Sequence, residues 1–297
     1  MRGDGDGWVA CAQEHQHWGR YGAAGLLVRD RDHTECRVLL QLRVEWSHHG
    51  GTWGVPGGAR DSDETAVQTA LREAAEEAGV VPDAVRLAGA TRDDHGGWSY
   101  TTVLADVREP FHAKATGRES DEVRWVAEGQ IDALTLHPGF AESWPLLRGT
   151  PHAPVVVVDA ANVVGSTPDG WWRDRLGAAR RLRDRLTALT ERGIPAAAMP
   201  AYEPGAPSVP TWYPQVLLVV EGAARRLAAE PSPASVEVVA ATRSGDDEIV
   251  RQVAAPVAEG CAAVVVVTAD RELRTRCQRA DARVQITGPR WLMELMP

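Results

Sequence analysis

Apolar and polar positions follow two different rhythms along the chain. In the first half, Tyr21–Val28 and Val38–Val44 are short apolar runs of β character, and the polar stretch Arg31–Cys36 between them reads as a turn. Glu64–Ala78 is rich in Ala, Glu and Leu, the composition of a helix, and Gly79 supplies its stop. Trp98–Val107 and Glu122–Val126 read as later strands, and His137–Leu147 as a short helix. In the second half Val155–Val158 is β-branched throughout, the pattern of a strand buried on both faces, and Val216–Val220, Val236–Ala240 and Val264–Thr268 repeat it. Helical stretches at Asp174–Glu191, Asp246–Ala258 and Arg271–Arg279 alternate with these strands, and proline-rich Ala196–Pro214 reads as a loop. Such alternation predicts a parallel α/β sheet.

The change of rhythm falls at Arg148–Pro154, a Gly- and Pro-bearing connector, so the expected domains are residues 1–150 and 151–297. Charge divides at the same place. The formal net charge of −9 falls entirely on the first half, and the second half is balanced. An acidic first half repels nucleic acid unless cations intervene and suits small phosphorylated substrates accompanied by Mg²⁺. Hydrophobic residues make up 44% and charged residues 25%, ordinary for a globular protein. No apolar run is long enough to span a bilayer, and the N-terminus lacks a basic segment followed by an apolar one. The expectation is therefore a cytoplasmic protein with no membrane partner. Cys11, Cys36, Cys261 and Cys277 form no CxxC pair and read as reduced thiols apart from any histidine cluster. His15, His17, His48 and His49 fit no common zinc spacing, so no metal is expected at them.

Candidate chemistry in the first half centres on Glu73, Glu76 and Glu77. At i, i+3 and i+4 they share one face of a helix, where three adjacent carboxylates repel one another unless a cation sits among them. A hard divalent ion with oxygen ligands suits such a face, and it would also neutralise phosphate oxygens. Gly57 and Gly58, after Pro56, allow backbone to approach closely in front of the helix. The pattern of Gly58, five residues, Glu64, seven residues, then Arg72-Glu73-Ala74-x-Glu76-Glu77-x-Gly79-Val80 resembles the Nudix box, with Ala74 a small member at its aliphatic position. The resemblance covers roughly residues 18–148. It implies an α/β/α sandwich around a mixed sheet and hydrolysis of a nucleoside diphosphate linked to some group X. It implies Mg²⁺ or Mn²⁺ held by Glu73, Glu76, Glu77 and the Gly58 carbonyl, and an Arg72–Glu64 pair bracing the loop. The general base varies within that family. Glu119 and Glu122 resemble carboxylates on the strand after its mobile loop and are candidates for that role. Trp98 and Tyr100 are core residues by this reading, with a stack on a nucleobase as the other option.

In the second half, acidic residues sit where strands end. Asp159 and Asn162 follow the first strand, Glu221 follows the second, Asp246 and Asp247 open a helix, and Asp270 follows the last apolar run. Strand carboxyl ends converge on one edge of a parallel sheet, and clustered carboxylates there suit metal-assisted phosphodiester cleavage. Each aspartate is also an ordinary helix cap taken alone. With Asp-x-x-Asn after the first strand and Thr-x-Asp-Arg-Glu-Leu after a late one, residues 153–297 resemble the NYN group of PIN-like nucleases. That resemblance implies an α/β/α domain with a parallel sheet, a Mg²⁺ or Mn²⁺ site at Asp159, Asp246 and Asp270, and RNA as a candidate partner. Two other arrangements stay open: a Nudix hydrolase with an inactive RNA- or protein-binding second half, and a non-catalytic nucleotide sensor. Trp171, Trp172 and the arginines of residues 173–185 offer stacking and phosphate contacts, or the charged face of an amphipathic helix.

Overall fold

The computed structural model of the 297-residue chain describes residues 3–31, 35–167, 170–200, 209–258 and 261–297. Residues 32–34 of the Arg31–Cys36 stretch and residues 201–208 of the Ala196–Pro214 loop lie outside the described residues. The chain divides into two compact units between Thr150 and Pro151.

The first unit opens with an antiparallel hairpin of β1 (Trp8–Ala10) and β2 (Gln16–Trp18). There follow β3 (Ala23–Asp30), β4 (Arg37–Arg43), β5 (Trp53–Gly54), β6 (Gly57–Ala59), α1 (Ala66–Ala78), β7 (Val85–Asp94), β8 (Ser99–Val107), β9 (Ser120–Ala127) and α2 (Pro138–Leu147). The strands order as β7-β8-β3-β4-β5, with β6 also beside β3 and β9 beside β4. β3 runs parallel to β8 and antiparallel to β4 and β6, so the sheet is mixed. Ala24, Leu26, Val28, Leu39, Val103 and Ala105 bury one face of this sheet against Ala70, Ala74 and Ala78 of α1. The small helix side chains let α1 lie close to the strands, and fully buried Ala74 shows why its position takes so small a residue. Alternate residues Leu27, Leu40 and Leu104 are equally buried on the opposite face.

Helix α1 begins two residues later than its composition indicates. Thr65 is the N-cap, in a capping box with Gln68, and Glu64 sits in the turn ahead of it. The helix stops at Gly79, whose φ of 66° is the left-handed conformation that glycine adopts at low cost. Strand β7 has no announcing pattern. Ala88, Gly89 and Ala90 are small, its register shifts between Leu87 and Gly89, and its last residues are exposed.

The second unit comprises β10 (Val155–Asp159), α3 (Ala160–Gly165), α4 (Arg175–Arg192), β11 (Ile194–Pro195), β12 (Thr211–Trp212), β13 (Gln215–Val220), β14 (Val236–Ala240), α5 (Gly245–Ala258), β15 (Val264–Val267), α6 (Arg271–Ala280), β16 (Gln285–Thr287) and α7 (Pro289–Leu295). β11 and β12 form a short antiparallel pair. The other strands make a parallel sheet in the order β14-β13-β10-β15-β16. Val156 and Val158 enter one core with Leu182, Leu186 and Leu189 of α4, while Val155 and Val157 enter another with Ile249, Val253 and Leu273. Two buried faces explain an all-valine strand. The chain leaves β10 toward β13 on one side and returns to β15 on the other, so β10 and β15 border the topological switch point. Ligand sites in open α/β sheets form outside the strand carboxyl ends at such a point.

Candidate functional sites

In the first unit, α1 and β6 place a carboxylate cluster against backbone. A Cβ added at Gly58 would lie 2.6 Å from the Glu73 carboxyl carbon, so only glycine lets this strand meet that side chain. Glu77 is buried and accepts from the Gly57 N–H and from Gln41 Nε2, each at 2.9 Å. Gln41 Oε1 in turn accepts from Ser120 Oγ at 2.6 Å, giving a buried line from β9 through β4 to α1. Burial pushes the Glu77 carboxyl up to about 7, against the two hydrogen bonds that favour its charge. Glu73 is also raised by burial, with Arg72 opposing and Glu76 and Glu119 adding repulsion. The Glu76 side chain is 63% exposed, with its carboxylate 3.8 Å from Arg72.

Arg72 is the brace of this loop. It donates to both Glu64 oxygens at 2.6 and 2.8 Å, to Glu73 Oε1 at 2.7 Å and to the Ala59 carbonyl at 3.2 Å. Glu64 also accepts from Thr69 Oγ1, and the Arg72 hydrogen bonds hold it down at about 2. Glu119 is exposed at the entry to β9, and Glu122 is exposed beside Arg124, 3.8 Å away. Trp98 lies flat on the His17 ring at 4.0 Å, which occupies one of its faces. Tyr100 packs its hydroxyl where a Cβ of Gly25 or Gly57 would fall.

The donor set fits a hard divalent cation. Glu73 and Glu77 are all-oxygen ligands with lone pairs left over. Arg72 answers part of the charge of Glu73, whereas Glu77 is met only by neutral donors. Buried Glu77 and half-buried Glu73, with a guanidinium on Glu73 alone, leave negative charge that a cation would offset.

In the second unit, Asp159, Asn162, Glu221, Asp246 and Asp270 line one cavity of about 290 Å³ with Gly245 and Ile249. Asp159 Oδ1 caps α3 by accepting from the Asn162 N–H at 3.0 Å, and its Oδ2 accepts from Thr268 Oγ1 at 2.9 Å. Asp270 Oδ1 caps α6 through the Leu273 N–H at 2.8 Å. Asn162 Oδ1 accepts from the Ala269 N–H at 2.8 Å, tying the β10 and β15 ends together. Glu221 Oε2 accepts from the Gly245 N–H at 3.0 Å. Asp159 is raised by burial and by Asp246 and Glu221; Asp246 is raised by burial, Asp270 and Glu221. Asp247 points elsewhere and pairs with Arg276. Three arginines of α4 have local tasks: Arg180 and Arg183 hold Glu230, and Arg185 reaches the Pro297 carbonyl.

Two of these residues give no functional signal in the sequence, and the expectation that Cys11 stands apart from histidines is corrected. Gln41 is the one polar residue in the apolar run Val38–Leu42, and Ser120 was masked by its charged neighbours. Cys11 does lie beside a histidine cluster, because His95 joins it from the turn after β7.

The NUDIX domain family matches residues 19–148. A Mycobacterium tuberculosis protein named "Putative 8-oxo-dGTP diphosphatase 3" is 53% identical over 158 residues, covering 51% of this chain and 72% of its own length. A Bifidobacterium longum "Nucleoside triphosphate pyrophosphatase/Nudix hydrolase fusion protein" is 42% identical over 147 residues, 48% of this chain and 30% of that protein. The crystal structure of a Mycobacterium smegmatis Nudix hydrolase, RenU, is 49% identical, covering 48% of this chain and 93% of that one, with a TM-score of 0.45. With an intact carboxylate helix and a relative more than half identical across most of its length, the chain belongs to the Nudix hydrolase family, whose pyrophosphohydrolases act on acid anhydrides.

Proposed function

We propose that the first unit hydrolyses a phosphoanhydride bond of a nucleoside triphosphate carrying an oxidised purine. Water adds to one phosphorus and the bridging oxygen leaves with the other phosphate. The observation that carries the site is the convergence of Glu73, Glu77 and the Gly57–Gly58 backbone, with Glu76 open to solvent beside them. The name of the M. tuberculosis relative supports the substrate class. Glu73, Glu76, Glu77 and the Gly58 carbonyl would hold Mg²⁺ or Mn²⁺. Such an ion, when bound, neutralises phosphate oxygens and lowers the pKa of water. Arg72 opposes the rise that burial causes at Glu73 and fixes its orientation, while Glu64 fixes Arg72. Gln41 and Gly57 hold Glu77 by its Oε2. Glu119, exposed and close enough to Glu73 to repel it, is the candidate to take the proton from water. The test is a panel of nucleoside diphosphate and triphosphate derivatives with Mg²⁺. Exposed Glu76→Gln should retain the fold and lose most turnover, and unchanged turnover would remove the assignment.

For the second unit, residues 151–297, we infer a PIN-like phosphodiesterase whose acidic cavity takes Mg²⁺ or Mn²⁺ at Asp159, Asp246 and Asp270, with RNA as substrate. Four carboxylates in one cavity at the sheet's switch point support this reading. A neighbouring groove lined by Val164, Trp171 and Arg175 shares Ala161 and Glu221 with that cavity and gives a base an aromatic wall. Asp159→Asn with Asp270→Asn should abolish Mg²⁺-dependent RNA cleavage while leaving triphosphate hydrolysis intact. Wild-type protein that cleaves no RNA would make this unit a binding module instead.

A further inference from the structure

Outside both carboxylate sites, the first unit gathers a second kind of ligand set. Cys11, His15, His17 and His95 each offer one donor atom, and these atoms all lie within 4.8 Å of one another. Cys11 and His15 come from the loop between β1 and β2, His17 from β2, and His95 from the turn between β7 and β8. Backbone brings the two turns together: the Ala12 N–H donates to the Gly96 carbonyl at 2.8 Å. A Cβ at Gly96, whose φ is +70°, would lie 2.8 Å from the Ala12 side chain, so that approach depends on glycine.

The orientation of the side chains is the informative part. His17 Nε2 and His95 Nδ1 are buried, and neither finds a hydrogen-bond partner among the described residues. Buried imidazole nitrogens are rarely left this way without a reason. The opposite nitrogen of His95, Nε2, lies 2.9 Å from Asp93 Oδ2. A carboxylate on the far nitrogen is the usual outer partner of a metal-binding histidine, because it fixes the tautomer and turns the other nitrogen toward the metal. His17 is held flat against Trp98, with rings 4.0 Å apart and 10° between planes. Cys11 is buried, and its sulfur accepts from the Gln13 N–H at 3.4 Å, which fixes the position of the sulfur.

We propose that Cys11, His15, His17 and His95 form a tetrahedral Zn²⁺ site that staples the β1–β2 hairpin to the β7–β8 turn. One thiolate and three imidazoles are borderline-soft donors, which select zinc over the hard ions suited to Glu73 and Glu77. Zn–N bonds of about 2.0–2.1 Å and a Zn–S bond of about 2.3 Å put tetrahedral ligands roughly 3.3–3.6 Å apart, so the set closes by at most about 1.5 Å on binding. His15, exposed in its loop, supplies that adjustment. The site has a structural task. Strands of three residues make a hairpin that is marginal alone, and a metal clip that fixes Cys11 to His95 anchors it. All four coordination positions are protein ligands, the closed arrangement of structural rather than catalytic zinc.

The test uses the full chain, purified without chelator from zinc-supplemented cells and assayed for metal by mass spectrometry. One zinc per chain is expected, and it should persist in Glu73→Gln/Glu76→Gln/Glu77→Gln. His17→Ala/His95→Ala should lose it. Asp93→Asn, at an exposed position, should weaken zinc binding about 10–100-fold. Replacement by Co²⁺ should give the visible bands of a tetrahedral ion and a thiolate charge-transfer band that disappears in Cys11→Ser, a reading that does not depend on the double variant folding. Wild-type protein that binds no zinc even when zinc is added would overturn the proposal. So would zinc retained by folded His17→Ala/His95→Ala and lost from a variant of His48, His49 and His137, the other histidine group among the described residues.

Discussion

Gly57 and Gly58 adjoin in sequence yet face different obstacles, and that difference separates stability from activity. A Cβ at Gly57 would stand 2.6 Å from both the Ala24 carbonyl oxygen and the Gly25 Cα, the backbone of the strand paired with β6. Those atoms cannot yield without disturbing the sheet. Gly57→Ala should therefore cost about 1–3 kcal/mol by overpacking. A Cβ at Gly58 meets the Glu73 carboxyl carbon and Oε1, also at 2.6 Å, but these end a side chain that can swing. Ordinary carbon contact lies at about 3.5–4.0 Å, so the carboxylate must retreat by about 1 Å and strain its 2.7 Å bond from Arg72. Misplacement of a reacting group by that distance costs about 100-fold in rate. Gly58→Ala is therefore expected to unfold in urea within about 1 kcal/mol of the wild type, as most substitutions clear of fixed packing do. Its Mg²⁺-dependent turnover should fall about 100-fold. Urea unfolding, measured beside phosphate or pyrophosphate release for both variants, checks the pair. Wild-type kcat/KM in Gly58→Ala would refute the placement of Glu73, and equal destabilisation by both substitutions would refute the distinction between backbone and side-chain obstacles.

Other outcomes follow from the same contacts. Arg72 holds Glu64 at about 2, below its unfolded value, so the stability from this pair is present above pH 4.5 and is lost as pH falls through 2. Glu64→Gln should cost about 1–2 kcal/mol at neutral pH, discounted for a guanidinium 31% exposed. The gap from wild type should narrow between pH 4.5 and pH 2, and a gap independent of pH would contradict the pairing. Gln41→Leu takes one of two donors from Glu77 and the acceptor from Ser120, for about 1–3 kcal/mol in urea unfolding, whereas Ser120→Ala should cost less because Gln41 still reaches Glu77. Asp159→Asn keeps an amide oxygen to cap α3 and removes one of four mutually repelling carboxylates. Its melting temperature should equal or exceed that of the wild type, and a drop of several degrees would show that the charge of Asp159 supports the fold.

What the chain reveals without a structure depends on whether cause and effect lie close in sequence. Glu73, Glu76 and Glu77 share a face because one helix turn puts them there, and Arg72 reaches Glu64 across a single cap. Buried valine runs declare a parallel sheet because each run is a whole strand. Strand β7 stays hidden, since its middle residues are too small to mark an apolar face and its end is exposed. The link from Ser120 to Glu77 stays hidden because each member looks ordinary until β4 and β9 pair. Cys11 and His95 are a stronger case, separated by most of the sheet and joined only when two turns meet.

The second unit adds a different kind of ambiguity. Asp159 and Asp270 are helix caps, as the plain reading of an aspartate after a strand would have it. They also line a cavity with Glu221 and Asp246. The two roles do not compete, because a cap occupies one carboxylate oxygen. At Asp270 the other oxygen remains available to the cavity, and at Asp159 it is steered by Thr268. A parallel sheet makes this coincidence systematic: the strand ends that need caps are the strand ends that converge. Charge alone therefore separates function from capping at these positions. An asparagine caps equally well but brings no charge to the cavity, so retained fold with lost metal binding in Asp159→Asn and Asp270→Asn is the outcome that a purely structural aspartate cannot produce.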